Sequence, residues 1–199
     1  MRSTREAARA LLATGHEQGG YFTAKQARRA GYDYPHMEYH VSTGAFERIG
    51  HGLYRLASIP PAENDDLIRL SLWSRNRADL PQAVVSHESA LILHDLTELL
   101  PNEIHLTVPR RFRKEPPAGC VLHKAILPRR DVEQRTGFWV TTPSRTLLDA
   151  AAGSTSAEQL ERAVTEALAR GLVRGGRLAQ AARDDPRLGR LARILKSIH

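Results

Sequence analysis

The order of helix and turn signals in residues 22–56 constrains the fold more than any other feature of the chain. Thr23 and Gln26 have the spacing of a capping box, which predicts a helix that begins at Ala24. Gly31 is expected to end that helix, because glycine alone enters a left-handed turn without a steric penalty. Pro35 suits the first turn of a second helix, where its missing N–H loses nothing. The stretch therefore predicts two short helices joined by a tight turn.

The pattern changes from helical to alternating after Gly44. Residues 46–56 form two short alternating runs around Gly50-His51-Gly52, which is typical of a β-hairpin with a glycine-rich tip. Two short helices followed by a two-stranded ribbon have the order of a winged helix-turn-helix. Residues 3–16 predict a further helix that packs on this pair as a scaffold.

The second helix is predicted to have one core face and one open face. Met37 and Val41 are one turn apart and can face the core, which leaves a polar face on the other side. We expect that face to enter a DNA groove and the basic residues around it to contact phosphate oxygens. Tyr39 could instead pack on the first helix. The candidate DNA-binding residues are Lys25, Arg28, Arg29, His36, Tyr39, His40, Thr43, Arg48, His51 and Arg55.

The charge of the chain favours an acidic partner, although small winged modules also dock proteins. The net charge is +7 and the isoelectric point is about 10.1. Residues 1–58 hold eight basic and five acidic groups, whereas residues 109–135 hold eight and three. Residues 1–58 are thus only mildly basic. Nucleic-acid binding and docking of a partner protein both stay open as functions of the winged module.

Consecutive prolines at residues 60 and 61 predict a domain boundary, since they cannot continue a strand ladder. We expect a DNA-binding domain over residues 1–58 and a second domain over residues 59–199. Asn64 is expected to cap a helix that runs to about Asp79, and Ser86 is expected to cap another. Residues 103–108 and 121–126 alternate as strands, with a hairpin-like connection between them. Helices, a few strands and a helical tail from about Ser156 indicate an α+β second domain.

No residue pattern predicts catalysis, a cofactor or a metal. Cys120 is the single cysteine, and His87 and His94 lie two helical turns apart without a third ligand. Arg145 and Asp149, one turn apart, are expected to form a structural ion pair. The absence of a long apolar run or a secretory leader favours the cytoplasm.

Several stretches in order resemble the AbiEi-type antitoxins, which are transcriptional repressors of abortive-infection toxin–antitoxin operons. They are TAKQARRAG with HGLYRLA, SHESALILHDL with EIHLTVP, and VTTPSRTLLDAAA with ALARGLV. The resemblance implies a winged helix-turn-helix that binds inverted repeats in its own promoter as two copies. It also implies a C-terminal antitoxin domain that counteracts a nucleotidyltransferase-type toxin.

Two features of the chain bear on that resemblance. The second helix, which is expected to enter the DNA groove, holds no Arg, Asn or Gln. Base specificity is therefore expected to rest on His36, Ser42, Thr43 and DNA shape, or to be modest. The basic loop in the second domain is open to three interpretations: an extended DNA track, a dock for an acidic toxin surface, or a solvated loop. Its residues are Arg110, Arg111, Arg113 and Lys114.

Overall fold

The computed structural model describes residues 4–98 and 102–198. The chain forms two compact units. The first unit comprises the described residues up to Gln82 together with residues 134–138, and the second comprises the remainder. The units thus divide at residues 82 and 83, and the functional boundary at residues 58 and 59 stays a prediction.

The first unit is a winged helix-turn-helix, as predicted. Helix α1 (Thr4–Glu17) precedes strand β1 (Tyr21–Thr23), and α2 (Ala24–Ala30) and α3 (Tyr34–Ser42) form the helical pair. Strands β2 (Phe46–Gly50) and β3 (Leu53–Leu56) form the wing, and α4 (Asp65–Trp73) follows it. The sheet has three antiparallel strands in the order β1-β3-β2 rather than the two expected, because the short β1 pairs with β3.

Local signals set the ends of α2 and α3. The Thr23 hydroxyl accepts from the Gln26 N–H at 3.2 Å, and the Gln26 side chain accepts from the Thr23 N–H at 2.8 Å, which completes the capping box. Gly31 ends α2 with φ of 117°, and the Asp33 carboxylate caps α3 through the His36 N–H. Both helices therefore begin and end where the sequence indicates.

An aromatic cluster fixes the winged unit. The buried ring of Phe22 lies edge-on to Phe46 at 5.0 Å between centroids and stacks on Tyr54 at 5.7 Å. Ring pairs in these geometries add about 0.5–1.5 kcal/mol beyond the area they bury. Met37 of α3 belongs to the same core, so α3 is held against the wing with its opposite face outward.

The second unit places helices on a mixed sheet. Its strands are β4 (Val84–Val85), β5 (Ile104–Val108), β6 (Cys120–Lys124), β7 (Val132–Arg135) and β8 (Phe138–Thr141), in the order β6-β5-β4-β8-β7. Residues 134–138, at the β7–β8 turn, cluster with the first unit. The helices are α5 (His87–Leu93), α6 (Pro143–Ala152), α7 (Ala157–Ala169), α8 (Gly175–Asp184) and α9 (Gly189–Ser197). A core of leucine, valine, isoleucine and alanine joins α5 to α9, which confirms the helical tail.

Three expectations about local structure are wrong. Strands β5 and β6 pair in parallel, with Val108 opposite Lys124, so the connection between them is a crossover and not a hairpin. Helix α4 ends at Trp73 instead of near Asp79, because the Ser74 hydroxyl turns the chain by bonding the Ser71 carbonyl and the Gln82 N–H. The Asn64 and Ser86 side chains make no capping bond.

The architecture is therefore α+β, with a winged helix-turn-helix at the N-terminus. None of the helices described is long and apolar enough to cross a membrane.

Candidate nucleic-acid interface

Helix α3 presents an open polar face beside the wing. His36, Tyr39, Ser42 and Thr43 are exposed and fall three or four residues apart, so they form one stripe along the helix. His51 is exposed at the tip of the wing, between Gly50 and Gly52. The structure thus brings together a helix stripe and a hairpin tip, the two parts of a winged helix that meet a duplex.

His40 belongs partly to the core. Its ring stacks on Phe46 at 4.7 Å between centroids and lies edge-on to Tyr32 at 5.4 Å. Because these contacts cover its ring, His40 is half-buried, whereas Tyr39, one residue earlier, is exposed. Sequence spacing placed both residues on the open face, whereas the structure places only Tyr39 fully there.

The two wing arginines differ in what holds them. Arg55 is only 12% exposed in its side chain and makes two hydrogen bonds of 3.0 Å to the Glu47 carboxylate and one of 2.9 Å to the Ile59 carbonyl. Such a bidentate, half-buried pair is structural. Arg48 is exposed and bonds the Tyr54 hydroxyl at 3.2 Å and Glu38 at 2.6 Å. The contacts with Tyr54 and Tyr34, and then the charge of Glu38, raise its pKa.

The cations of α2 also divide into two kinds. Arg29 bonds Asp79, whose side chain is buried, at 2.7 Å. Lys25 and Arg28 are exposed, and no ion pair of theirs occurs among the residues that the structure describes. A carboxylate near a cation competes with phosphate for it, so the Asp79 carboxylate makes Arg29 less available to an anion than Lys25 or Arg28.

The basic loop of the second unit lies at one end of the sheet. Because β5 and β6 are parallel, Arg110 and Arg111 leave β5 at the end where Lys124 closes β6. Phe112 is buried and anchors the loop, whereas Arg110, Arg111, Arg113 and Lys114 are exposed. Elsewhere in this unit, the guanidinium of Arg129 lies over the Trp139 ring, 4.5 Å from the ring centroid.

Three histidines of the second unit meet, an arrangement that sequence reasoning missed. The rings of His87 and His123 stack at 3.5 Å between centroids, and His105 Nδ1 lies 3.0 Å from His123 Nε2 and 3.3 Å from the Glu88 carboxylate. They come from α5, β5 and β6, and no spacing in the sequence links them. We call His87, Glu88, His105 and His123 the histidine cluster.

Burial favours the neutral form of two rings in the histidine cluster, His87 and His123. Desolvation, helped by the neighbouring His123, lowers the pKa of His87 from 6.5 to about 3. Burial and then His105 likewise lower the pKa of His123. Burial raises the pKa of Glu88, but the hydrogen bond from the Thr155 hydroxyl, a backbone hydrogen bond and the charges of His105 and His87 together outweigh burial, and the net shift is downward. His87 also has φ of 51°, a strained backbone for a residue other than glycine.

The histidine cluster is not arranged as a metal centre. Throughout residues 4–98 and 102–198, no group of three histidine, cysteine, aspartate or glutamate side chains could hold a metal ion. Because the rings stack face to face, their nitrogens lie in nearly parallel planes and do not point toward a common centre. His94, the other histidine of the SHESALILHDL stretch, bonds the Thr141 carbonyl at 2.7 Å.

Arg145 and Asp149 form the ion pair that the sequence indicates. Arg145 Nε lies 2.9 Å from Asp149, and its Nη1 lies 3.2 Å from Asp131. Burial nevertheless raises the pKa of Asp149, and the Arg145 charge only partly offsets this effect. The geometry is that of a buried clamp between α6 and the turn before β7.

Two family models cover most of the chain. One, described as a transcriptional regulator, AbiEi antitoxin, matches residues 5–57. The other, described as the AbiEi antitoxin C-terminal domain, matches residues 82–195, more than half of the chain. No curated protein matches the sequence. The two matches, in this order and with a winged helix-turn-helix under the first, confirm the resemblance seen in the sequence, and the chain belongs to the AbiEi antitoxin family.

Proposed function

We propose that this antitoxin binds duplex DNA through α3 and the wing and thereby represses its own operon. The observation that carries the proposal is the exposed stripe of α3 next to the wing, and the exposed Lys25 and Arg28 of α2 support it. A helix of nine residues enters a major groove about 12 Å wide, and cations on either side reach the phosphates that border it.

The mechanism is occlusion of the promoter. Two copies bind the halves of an inverted repeat, each with α3 in the major groove and His51 near the adjacent backbone. Half-sites then lie one helical turn, about 10 base pairs, apart or at a multiple of that distance. Nothing in this mechanism requires catalysis, a metal or a cofactor.

The C-terminal unit supplies the antitoxin activity. The family implies a toxin partner, and we propose that this toxin is of the nucleotidyltransferase type. We assign this role to residues 83–133 and 139–198, with the exposed loop Arg110–Lys114 as the cationic surface nearest the end of its sheet. Both roles belong in the cytoplasm, where the promoter and the toxin are found.

Fluorescence anisotropy with labelled DNA from upstream of the gene tests the DNA-binding role. The full-length chain is expected to bind this DNA more tightly than a duplex of shuffled sequence. The double substitution Lys25→Ala/Arg28→Ala should weaken binding to both duplexes alike, because phosphate contacts carry no sequence information. Equal binding of wild type and double variant to both duplexes would favour a winged module that docks a protein instead.

A further inference from the structure

The hydroxyl groups on the open stripe of α3 are already engaged. Ser42 donates to the Tyr39 carbonyl at 2.8 Å, and Thr43 donates to the same carbonyl at 3.1 Å. Each hydroxyl has one hydrogen to donate, so these two side chains offer a base edge only their acceptor lone pairs. Base discrimination therefore falls to the two rings on the stripe, His36 and Tyr39.

Tyr39 presents an aromatic ring that the fold does not use. The residue is 62% exposed, and its ring lies edge-on to the neighbouring His40 ring at 5.5 Å between centroids. It stands on the stripe between His36, three residues before, and Thr43, four residues after. In the major groove the one apolar group of a base pair is the C5 methyl of thymine, which an exposed ring contacts favourably.

Asp33 sets the hydrogen-bonding character of His36. Its Oδ1 accepts from the His36 backbone N–H at 3.0 Å and lies 3.2 Å from the His36 Nδ1. In the neutral ring, a proton on Nδ1 that faces this carboxylate leaves Nε2 as an acceptor. An acceptor matches the amino group of adenine or cytosine and opposes guanine, whose major-groove edge has acceptors only.

Guanine reading from the wing is also disfavoured. Arg48, the exposed arginine of the ribbon, has its guanidinium on Glu38 at 2.6 Å and on the Tyr54 hydroxyl at 3.2 Å. Both bonds come from Nη2, so one nitrogen of the fork that guanine requires is engaged within the free protein. The thymine methyl that suits the Tyr39 ring belongs to A·T pairs alone, and the amino group of adenine in the same pair suits an acceptor nitrogen.

We propose that α3 reads A·T pairs, with Tyr39 against a thymine methyl and His36 Nε2 accepting from an adenine amino group. This specificity rests on the proposed function, since it refines how the same surface reads DNA. Tyr39 and His36 are the specificity-determining residues, and phosphate contacts from α2 supply affinity that is independent of sequence.

Selection from a pool of duplexes with a random central segment tests this specificity. Full-length protein is expected to enrich A·T pairs at the positions that α3 covers. The enriched duplex is then made again with uracil in place of thymine, which removes the methyl groups and keeps every hydrogen bond. Loss of one buried methyl corresponds to about fourfold weaker binding, and of one in each half-site to about fifteenfold.

Variants separate Tyr39 from the rest of the surface. Tyr39→Ala should bind the thymine and uracil duplexes equally, whereas Tyr39→Phe should keep the preference for thymine because it keeps the ring. Tyr34→Ala is the matched control: Tyr34 is 65% exposed on the same helix, but its hydroxyl partners Arg48 on the wing side. It should retain the full sensitivity to uracil.

The outcomes distinguish this inference from the function beneath it. Enrichment of G·C pairs, or equal binding of thymine and uracil duplexes by the wild type, would overturn the A·T assignment while DNA binding stood. Retention of no duplex at all from the pool would overturn the DNA-binding function and the specificity together.

Discussion

Removing the unpaired cations of α2 should lower the salt dependence of DNA binding by a calculable amount. Lys25 and Arg28 are exposed without an ion pair in the described chain, and Arg48 is exposed and can exchange Glu38 for a phosphate. These residues give about three phosphate contacts per copy. Each contact contributes about −0.9 to the slope of log affinity against log salt, so two copies give a slope of about −5.

The double variant Lys25→Ala/Arg28→Ala keeps one of the three contacts, and its slope should rise to about −2. The assay is fluorescence anisotropy with upstream DNA at several salt concentrations. A matched control, Arg177→Ala/Lys196→Ala, removes the same charge from exposed positions on α8 and α9 and should leave the slope of the wild type. A wild-type slope near zero, or an equal change in the control, would refute the reasoning.

Further predictions follow from the wing, the histidine cluster and the α2 turn. Glu38→Gln frees Arg48 and should tighten DNA binding by up to about fivefold, as expected for an exposed pair worth less than about 1 kcal/mol. Glu47→Ala strands the half-buried Arg55 and should lower the free energy of unfolding by about 1–3 kcal/mol in urea titrations; an unchanged midpoint would contradict the structural role. The unfolded chain protonates His87 near pH 6.5 and the folded chain only near pH 3, so its contribution to stability is full above pH 6.5 and falls below it by at most about 1.4 kcal/mol per pH unit. His87→Gln should flatten this dependence of the free energy of unfolding on pH. A wild-type profile without slope would count against the buried neutral ring. Gly31→Ala should destabilise the winged unit by about 1–2 kcal/mol, since φ of 117° is strained for alanine; a loss below a few tenths would contradict that.

Local signals in the sequence were sufficient for the winged unit. Capping groups, a glycine and a proline act within four residues of where they stand, so Thr23, Gln26, Gly31 and Pro35 indicate where α2 begins and ends and where α3 begins. The order of helices and ribbon then leaves few alternative folds. This is why the architecture could be predicted from one sequence.

Partners distant in the sequence were not predictable. Asp79 lies 50 residues from Arg29, and the three rings of the histidine cluster come from separate elements. Strand periodicity is the same for parallel and antiparallel neighbours, so the crossover between β5 and β6 looked like a hairpin. Charge counting thus overestimated the phosphate-binding arginines of residues 1–58, because Arg29 and Arg55 are held by carboxylates of the protein itself.

The central claim is that the surface of α3 and the wing touches duplex DNA. Hydroxyl-radical footprinting of the full-length chain on DNA from upstream of the gene tests it most directly. The account predicts two protected segments related by a two-fold axis, with protection lost in Lys25→Ala/Arg28→Ala and retained in Arg177→Ala/Lys196→Ala. Protection that is absent, or that persists in the first variant and disappears in the second, would place DNA binding elsewhere on the molecule or exclude it.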